Sequence, residues 1–303
     1  MTDIARSSLA NEQAIVATDV HSIATNEAAT NWTMEPEEFW EDLLAYIEEG
    51  RVVPVVGPEL HTIVINGQEL PLYCVLAERL LQKYGLQGYH ASSPAPHADN
   101  EVGLRKHLEL NDAVCELLRR GRRAADLYRP INDLLRGLLG AEPMIPSTLC
   151  DLARITDFRL FVTTTIDDLL ARAIDATRAG FGPTSDQITY APNLPGDRAR
   201  DLPEVKPTNY RAVFHLGRAS PSPFFAIADE DVLEFIYSLQ AEQGGRPARM
   251  LAELRRCHLL LIGCNFADWL SRFFIRLANQ VGFRAIERRR SFSLAMGCRT
   301  IKV

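Results

Sequence analysis

Three segments of the chain repeat one pattern, in which an apolar run is followed by a polar or glycine-containing turn and then by a helical stretch. The apolar runs are β-branched or aliphatic and about four to seven residues long, as in the strands of a buried sheet. An earlier valine run adds a fourth strand. The four runs are RVVPVVG (51–57), LFVTTT (160–165), AVFHLG (212–217) and HLLLIG (258–263). Strands that alternate with helices predict an α/β fold: an open, mostly parallel sheet with helices on both faces.

The first regular element is expected to be a helix that starts near residue 34. Pro36 suits the first helical turn, and Gly50 suits the left-handed residue that ends a helix. Pro54 lies inside the first valine run, so this strand is expected to pair incompletely or to begin only after the proline. Residues 1–33 are small and polar and have no sustained period, so they are predicted to form a mobile arm.

A long helix-rich stretch separates the first strand from the threonine-rich strand. It is too long for a simple crossover, so a helical insertion is predicted at about residues 71–140, within a domain of residues 34–290. A second irregular stretch, 180–209, carries a possible short strand, QITYAP. Residues 291–303 are predicted to be a tail or a last short strand, or the point where a larger protein was cut.

Composition excludes several classes of function. The chain has 303 residues and a formal net charge of −6, so nucleic acid is an unexpected partner. Its six cysteines include no CxxC pair, which gives no sign of a zinc site or a disulfide framework and suits a reducing compartment. No apolar run approaches the roughly 18 residues that span a bilayer, so a cytoplasmic protein without a membrane partner is predicted.

Polar or conformationally special residues follow all four predicted strands. The stretches are GPELH from Gly57, TTTIDD from Thr163, HLGR from His215 and GCN from Gly263. The carboxyl ends of parallel strands meet at one edge of a sheet, so these residues are expected to outline one pocket. Threonine hydroxyls and backbone amides can hold phosphate or ribose oxygens, while Asp167 or Asp168 can cap the following helix.

These stretches, with FADW at 266–269, follow the order and spacing of the bacterial sirtuin-like domains of anti-phage defence proteins, and the similarity covers roughly Phe39 to Phe283. The resemblance implies a Rossmann-like sheet with a helical insertion. It also implies NAD as the substrate or ligand, which the active members of the family hydrolyse with release of nicotinamide. The chain has no CxxC pair for the zinc module of the protein-deacylating sirtuins, so no metal is expected.

Three of the family's motifs are altered, of which the first two are the phosphate loop and the threonine strand. Gly57 is followed by Pro58 and Glu59 in place of a Gly-Ala-Gly type phosphate loop, which removes one backbone donor and adds a negative charge. In the threonine strand, Thr163, Thr164 and Asp167 match the family, whereas Thr165 replaces the asparagine that positions the ribose and the attacking water.

The third motif is usually His-Gly, in which the histidine acts as the base. Here Gly217 follows Leu216, and His215 lies one position earlier. One residue along a strand reverses the direction of a side chain. His215 therefore enters the pocket only through a bulge or a slip, and otherwise is a structural histidine on the opposite side. The fourth motif retains Gly263 and Asn265, which the resemblance assigns to the adenosine ribose.

The predicted function is NAD hydrolysis to nicotinamide and ADP-ribose in anti-phage defence. The candidate catalytic residues are Thr165, His215 and Asp167, and the candidate NAD-binding residues are Gly57, Thr163, Thr164, Gly217, Gly263 and Asn265. The alternative is a catalytically degenerate module that binds NAD, ADP-ribose or a partner within a larger assembly of domains or subunits, because the departures fall where catalysis and phosphate contact occur.

A cysteine nucleophile at Cys264 is a third reading, since a thiol between a strand and a helix is well placed for activation. Its nearest histidine in sequence, His258, is expected about 20 Å away at the start of the same strand, too far to act as its base.

Overall fold

The computed structural model describes residues 36–90, 100–179, 185–191, 200–206, 210–219, 225–226, 228–240, 247–264 and 292–294. The chain divides into two compact units, 1–44 and 45–303, and the sheet and the site both belong to the second. The first helix, α1 (Pro36–Glu48), begins at the predicted proline, and Gly50 follows it with a left-handed φ of +66°. The predicted mobile arm, 1–33, lies outside the described residues.

The further elements follow in chain order. They are β1 (Val52–Val56), a 3₁₀ turn (Pro58–Leu60), β2 (Thr62–Ile65), β3 (Gln68–Pro71), α2 (Leu72–Lys83), β4 (Gln87–His90), β5 (Glu101–Leu104), α3 (Glu109–Arg119), a 3₁₀ turn (Ala124–Asp126), α4 (Tyr128–Leu139), α5 (Ser147–Arg154), β6 (Leu160–Thr163), α6 (Leu169–Thr177), β7 (Asp186–Tyr190), β8 (Ala212–Leu216), α7 (Asp229–Gln240), α8 (Ala248–Arg256), β9 (His258–Ile262) and β10 (Phe292–Leu294).

Six strands form the main sheet, in the order β10-β9-β1-β6-β8-β7, and every neighbouring pair is parallel. Parallel pairing requires a crossover between successive strands, and helices supply several of these crossovers. The domain is therefore Rossmann-like α/β, which confirms the predicted fold class. The short strands expected at QITYAP and near residue 292 are present as β7 and β10.

The two faces of the sheet differ in chemistry. One face packs an apolar core against α8, built from Val53, Val55, Val162, Phe214, Leu216, Leu259, Leu261, Met250, Leu251 and Leu254. Side chains alternate along a strand, so Thr163 and His215 lie on the other face, where the register pairs them side by side. This alternation places both polar side chains on the face away from the α8 core.

Pro54 is accommodated by asymmetric pairing of β1. The strand begins before the proline and pairs with β9 over its whole length, including Pro54 opposite Leu260. Its pairing with β6 starts only at Val55. The predicted incomplete pairing is therefore confirmed on the β6 side. Proline has no N–H to donate, so it is tolerated where a strand lacks pairing.

The region predicted as a helical insertion, about 71–140, contains α2, α3 and α4, and also the parallel pair β4–β5. An antiparallel hairpin, β2–β3, precedes it. Asn66 and Gly67 turn the hairpin with φ of 52° and 79°, the left-handed values that a two-residue turn needs. Among the described residues, no helix combines the length and the apolar character needed to cross a bilayer.

Candidate functional site

The ends of the central strands meet at one edge of the sheet, as predicted. The N–H of Gly57, after β1, donates to the carbonyl of Ile262 at the end of β9 (2.9 Å). The N–H of Thr164, after β6, donates to the carbonyl of Val56 (3.0 Å). The carboxyl ends of β9, β1 and β6 are therefore joined directly, and β8 lies beside β6. This edge is where open α/β sheets bind their ligands.

The two glycines at this edge pack against each other. A Cβ at Gly57 would lie 2.1 Å from the carbonyl oxygen of Gly263, and Gly263 itself has a left-handed φ of +62°. The Gly263 carbonyl also accepts the N–H of Glu59 (3.1 Å). Both positions therefore require glycine because two backbone loops approach closely, whether or not a ligand is bound.

The loop after β1 keeps its backbone donors within the protein. The N–H groups of Gly57, Glu59, Leu60 and His61 all donate to carbonyls, and Pro58 has none. The phosphate contact predicted at Gly57 therefore has no free N–H in this loop. The negative charge of Glu59 is directed to His107, whose Nδ1 lies 3.2 Å from Glu59 Oε1. The β1 loop differs in both respects from a phosphate cradle.

A buried polar cluster fills the space between the β1 loop and β6. Its centre is His61, which is fully buried; its Nε2 lies 3.4 Å from Thr165 Oγ1 and 3.4 Å from Asp167 Oδ1. Thr165 Oγ1 is in turn 2.8 Å from Thr163 Oγ1. His61 Nδ1 lies 3.1 Å from the carbonyl of Gly57, which can only accept, so Nδ1 carries a proton. Its Nε2 faces the Thr165 hydroxyl, which can donate or accept, and the Asp167 carboxylate oxygen, which can only accept.

Asp167 ties this cluster to two helices. Its Oδ1 accepts the N–H of Leu169, the first residue of α6 (2.9 Å), from the position before the N-cap residue, Asp168. The two aspartates therefore start the helix together, as predicted. Its Oδ2 accepts the hydroxyl of Tyr73 in the first turn of α2 (2.7 Å), and that hydroxyl accepts the N–H of Ile166 (2.9 Å). Burial, and then the Asp167 carboxylate, raise the pKa of Tyr73 well above its usual value, so Tyr73 stays a donor.

His215 lies near the cluster without joining it. Its pairing with β6 and β7 is regular, so no bulge redirects it. Alternation places it on the Thr163 face, and both ring nitrogens are buried without a hydrogen-bond partner among the described residues. Burial, followed by the charges of Arg218 and His61, lowers the pKa of His215 to about 3. His215 is therefore a neutral, weakly basic imidazole, and His61 is the histidine that meets Thr165.

The other predicted residues have varied environments. Thr164 is half-buried, and its hydroxyl lies 3.5 Å from the Val56 carbonyl. Gly217 has a φ of +96°, which favours glycine at the turn after β8. Asn265 lies outside the described residues. Cys264 Sγ donates to the carbonyl of Val55 (3.3 Å), a structural contact for a thiol.

A second polar region lies on the other side of the β6–α6 turn. It is a pocket of about 50 Å³ lined by Asn132, Leu135, Arg136, Leu139, Gly140, Ile166, Asp167, Asp168, Arg172, Arg218 and Ala219. We call it the arginine pocket. Asp168 Oδ1 pairs with Arg172 Nε at 3.0 Å across one turn of α6. The pocket therefore places cationic side chains beside the carboxyl ends of β6 and β8.

Sequence reasoning missed the residues that do most in both regions. His61 and Arg218 are the last residues of GPELH and HLGR, two of the stretches that follow predicted strands. Their polar side chains at strand ends were a signal as strong as the glycines. Tyr73 comes from the insertion and reaches Asp167 across 94 residues. No local sequence pattern predicts a contact between residues so far apart in the chain.

The sequence matches no protein-family model, and no curated protein is significantly similar to it. Among the described residues, no group of three or more His, Cys, Asp or Glu side chains is arranged to hold a metal ion.

Proposed function

We propose that this Rossmann-like domain is a sirtuin-like module that binds NAD or ADP-ribose at the carboxyl edge of its sheet. The proposal rests on a pocket at that edge, beside the ends of β6 and β8, which is lined by arginines, two aspartates and a buried asparagine. Diphosphate needs cations and ribose hydroxyls need carboxylate or amide partners, so this lining suits a nucleotide better than a purely apolar ligand.

The arginine pocket fits the anionic part of such a ligand better than the glycine turn does. The N–H groups of the β1 loop are already donated within the protein, which leaves little for a diphosphate. Arg172 and Arg218 line the pocket beside Asp168 at the start of α6, and guanidinium groups hold phosphate oxygens through two parallel hydrogen bonds. The dinucleotide would therefore be anchored further from β9 than the glycines suggest.

Binding is favoured over hydrolysis by the state of the candidate base. His215 is buried, has no partner and has a pKa of about 3, so it is a poor proton acceptor near neutral pH. Thr165 is 2% exposed and its hydroxyl is engaged with Thr163. These properties are those of a stable interior and not of groups that meet a water molecule.

Calorimetric titration of the full chain with NAD and with ADP-ribose tests the binding proposal. One saturable site is expected for at least one of the two ligands. Arg218→Gln should weaken binding about tenfold, because it removes a charged hydrogen-bond donor. Arg129→Gln is the matched control, since Arg129 is on α4 but its side chain is exposed and does not line the pocket. No heat with either ligand would reject the proposal.

Hydrolysis of NAD is the second candidate, and the contact of His61 with Thr165 and Asp167 favours it. In that reaction the bond between nicotinamide nitrogen and ribose carbon breaks, water adds to the ribose carbon, and a base takes the proton of the water. His61 lies beside Thr165 and is fully buried, so the cluster must open before His61 can meet that water. Loss of a general base costs about 100-fold or more, so nicotinamide release should fall by that factor in His61→Gln and stay unchanged in His258→Gln. Equal turnover in wild type and His61→Gln would remove this candidate.

A further inference from the structure

The arginine pocket contains more positive than negative charge. Arg136, Arg172 and Arg218 line it, together with two aspartates. Asp167 is committed to Tyr73, Leu169 and His61 on its other side. Asp168 balances one arginine through its pair with Arg172. Arg218 also lines the pocket, and its charge attracts an anion.

Arg218 is an arginine with unused hydrogen-bonding capacity. Its Nε is buried and has no partner within the described part of the chain, and burial, together with the nearby Arg172, lowers its pKa while Asp168 opposes the shift. The buried Arg178 shows the usual arrangement, since it donates to the carbonyls of Ala153, Ile155 and Phe158. Buried donors without partners are costly, and a bound anion would supply the missing acceptor.

Asn132 is a second buried polar group on the same pocket. It belongs to α4, is only 7% exposed, and its Oδ1 has no partner among the residues described. Apolar residues would pack this helix face at lower cost, as Ile131 and Leu135 do. Asn132 Oδ1 can only accept, so it can pair with a protonated oxygen of a ligand.

The size of the pocket limits the ligand. A volume of about 50 Å³ holds roughly three to five water-sized positions, which suits the oxygens of one phosphoryl group. The pocket also adjoins the start of α6, where Asp168 is the N-cap residue, and the positive end of a helix dipole favours an anion.

We propose that the arginine pocket is a subsite for a phosphate monoester, held by Arg172, Arg218 and Asn132 and oriented by Asp168. A monoester or inorganic phosphate carries a proton on part of its population near neutral pH, since its second pKa is about 6. That proton can be donated to the Asp168 carboxylate, whereas sulfate has none to donate at this pH. The subsite therefore selects phosphate over sulfate. For a nucleotide-borne phosphate the inference rests on the proposed function, and for free phosphate it stands alone.

Two sources of the phosphate are separated by two titrations of the full chain. Calorimetry with inorganic phosphate measures the free anion, and NADP against NAD measures the effect of one added monoester on the same dinucleotide. We expect inorganic phosphate to bind and sulfate to bind at least tenfold more weakly. If the monoester takes the pocket in place of the diphosphate, NADP binds about tenfold more tightly than NAD, because a monoester carries up to two negative charges and each phosphoryl group of the diphosphate carries one.

Variants test which residues are responsible. Arg218→Gln should weaken phosphate about tenfold, with Arg129→Gln unchanged. Asp168→Asn should leave phosphate bound but bring sulfate to within about twofold of it, because the neutral amide no longer repels a fully ionised anion. Thermal unfolding of each variant verifies that it is folded.

The outcomes separate the subsite from the proposed function. Binding of NAD without binding of phosphate, and with NADP no tighter than NAD, overturns the subsite and leaves the nucleotide proposal standing. Phosphate binding that Arg218→Gln abolishes, with neither NAD nor ADP-ribose bound, supports the subsite and rejects the nucleotide. Equal binding of phosphate and sulfate to the wild-type protein contradicts the role of Asp168.

Discussion

Asp167 and Asp168 are neighbours in the chain, but their carboxylates lie in opposite environments. The side chain of Asp167 is fully buried and accepts hydrogen bonds from a tyrosine hydroxyl and a backbone N–H, with His61 nearby. The side chain of Asp168 is 18% exposed and pairs with Arg172 in the arginine pocket. The turn between β6 and α6 thus separates a polar interior from a polar surface.

The contrast distinguishes polar groups that stabilise the fold from polar groups that remain available to a ligand. In the interior, the partners of Asp167 come from α2 and from the β1 loop, so its carboxylate joins parts of the chain that are distant in sequence. In the arginine pocket, Asp168 is satisfied by its own helix, while Arg218 and Asn132 retain unpaired buried atoms. His215 also has unpaired buried nitrogens, so it is the presence of two such groups on one pocket that favours a binding surface.

The largest expected effect is on stability, at Asp167. Asp167→Ala leaves the Tyr73 hydroxyl and the N–H of Leu169 without an acceptor and empties a buried site, so we expect a loss of about 3 kcal/mol in the free energy of unfolding. Asp168→Ala removes an i,i+4 pair at the surface and should cost about 0.5 kcal/mol. Urea denaturation of both variants measures the contrast. Equal losses of stability in the two variants would contradict the assignment of Asp167 to the buried cluster and of Asp168 to the surface.

A second expectation concerns acid stability through His215. Its pKa is about 3 in the folded protein and about 6.5 when unfolded, so acid protonates the unfolded chain first. The stabilisation is complete above the unfolded pKa and is lost as the pH falls below it, by about 2 kcal/mol between pH 7 and pH 5. His215→Leu should lack this part of the acid sensitivity in urea titrations at the two pH values. An unchanged difference between pH 7 and pH 5 would show that His215 is not buried in the neutral state.

The smallest expected effect has the opposite sign. Asn132→Leu replaces an unpartnered buried amide with an apolar side chain of similar size, so the free energy of unfolding should rise by about 1 kcal/mol. The same variant should weaken phosphate binding. Gain of stability together with loss of binding would mark Asn132 as a ligand-binding residue. A loss of stability would show instead that the amide is satisfied within the protein.

The sequence predicted the framework of the sheet because its strands carry strong local signals. The valine and leucine runs of β1, β6, β8 and β9 are apolar throughout, and the positions of Pro36, Gly50 and Pro54 had the expected consequences. The hairpin β2–β3 went unpredicted although Asn66-Gly67 is a strong turn signal, since its strands are short and half polar.

The site was harder to predict than the fold, for a physical reason. A strand end can be recognised locally, so Thr163, Thr165 and Asp167 were found. Their partners His61 and Tyr73 lie about a hundred residues earlier, and only the folded sheet brings them together. The direction of His215 depended on strand register, which the regular pairing of β6 and β8 then settled.

Hydrogen exchange of the full chain with saturating ADP-ribose is the most direct test of a nucleotide site at the carboxyl edge of the sheet, because it locates the ligand as well as detecting it. We expect ADP-ribose to slow the exchange of backbone amides at the carboxyl edge, in segments 57–61, 164–169 and 217–219. Exchange should be unchanged at the amino ends of the same strands, near Arg51, Arg159 and Arg211. Slower exchange confined to the amino ends, or no change with either ADP-ribose or NAD, would contradict the proposal that this edge is a nucleotide site.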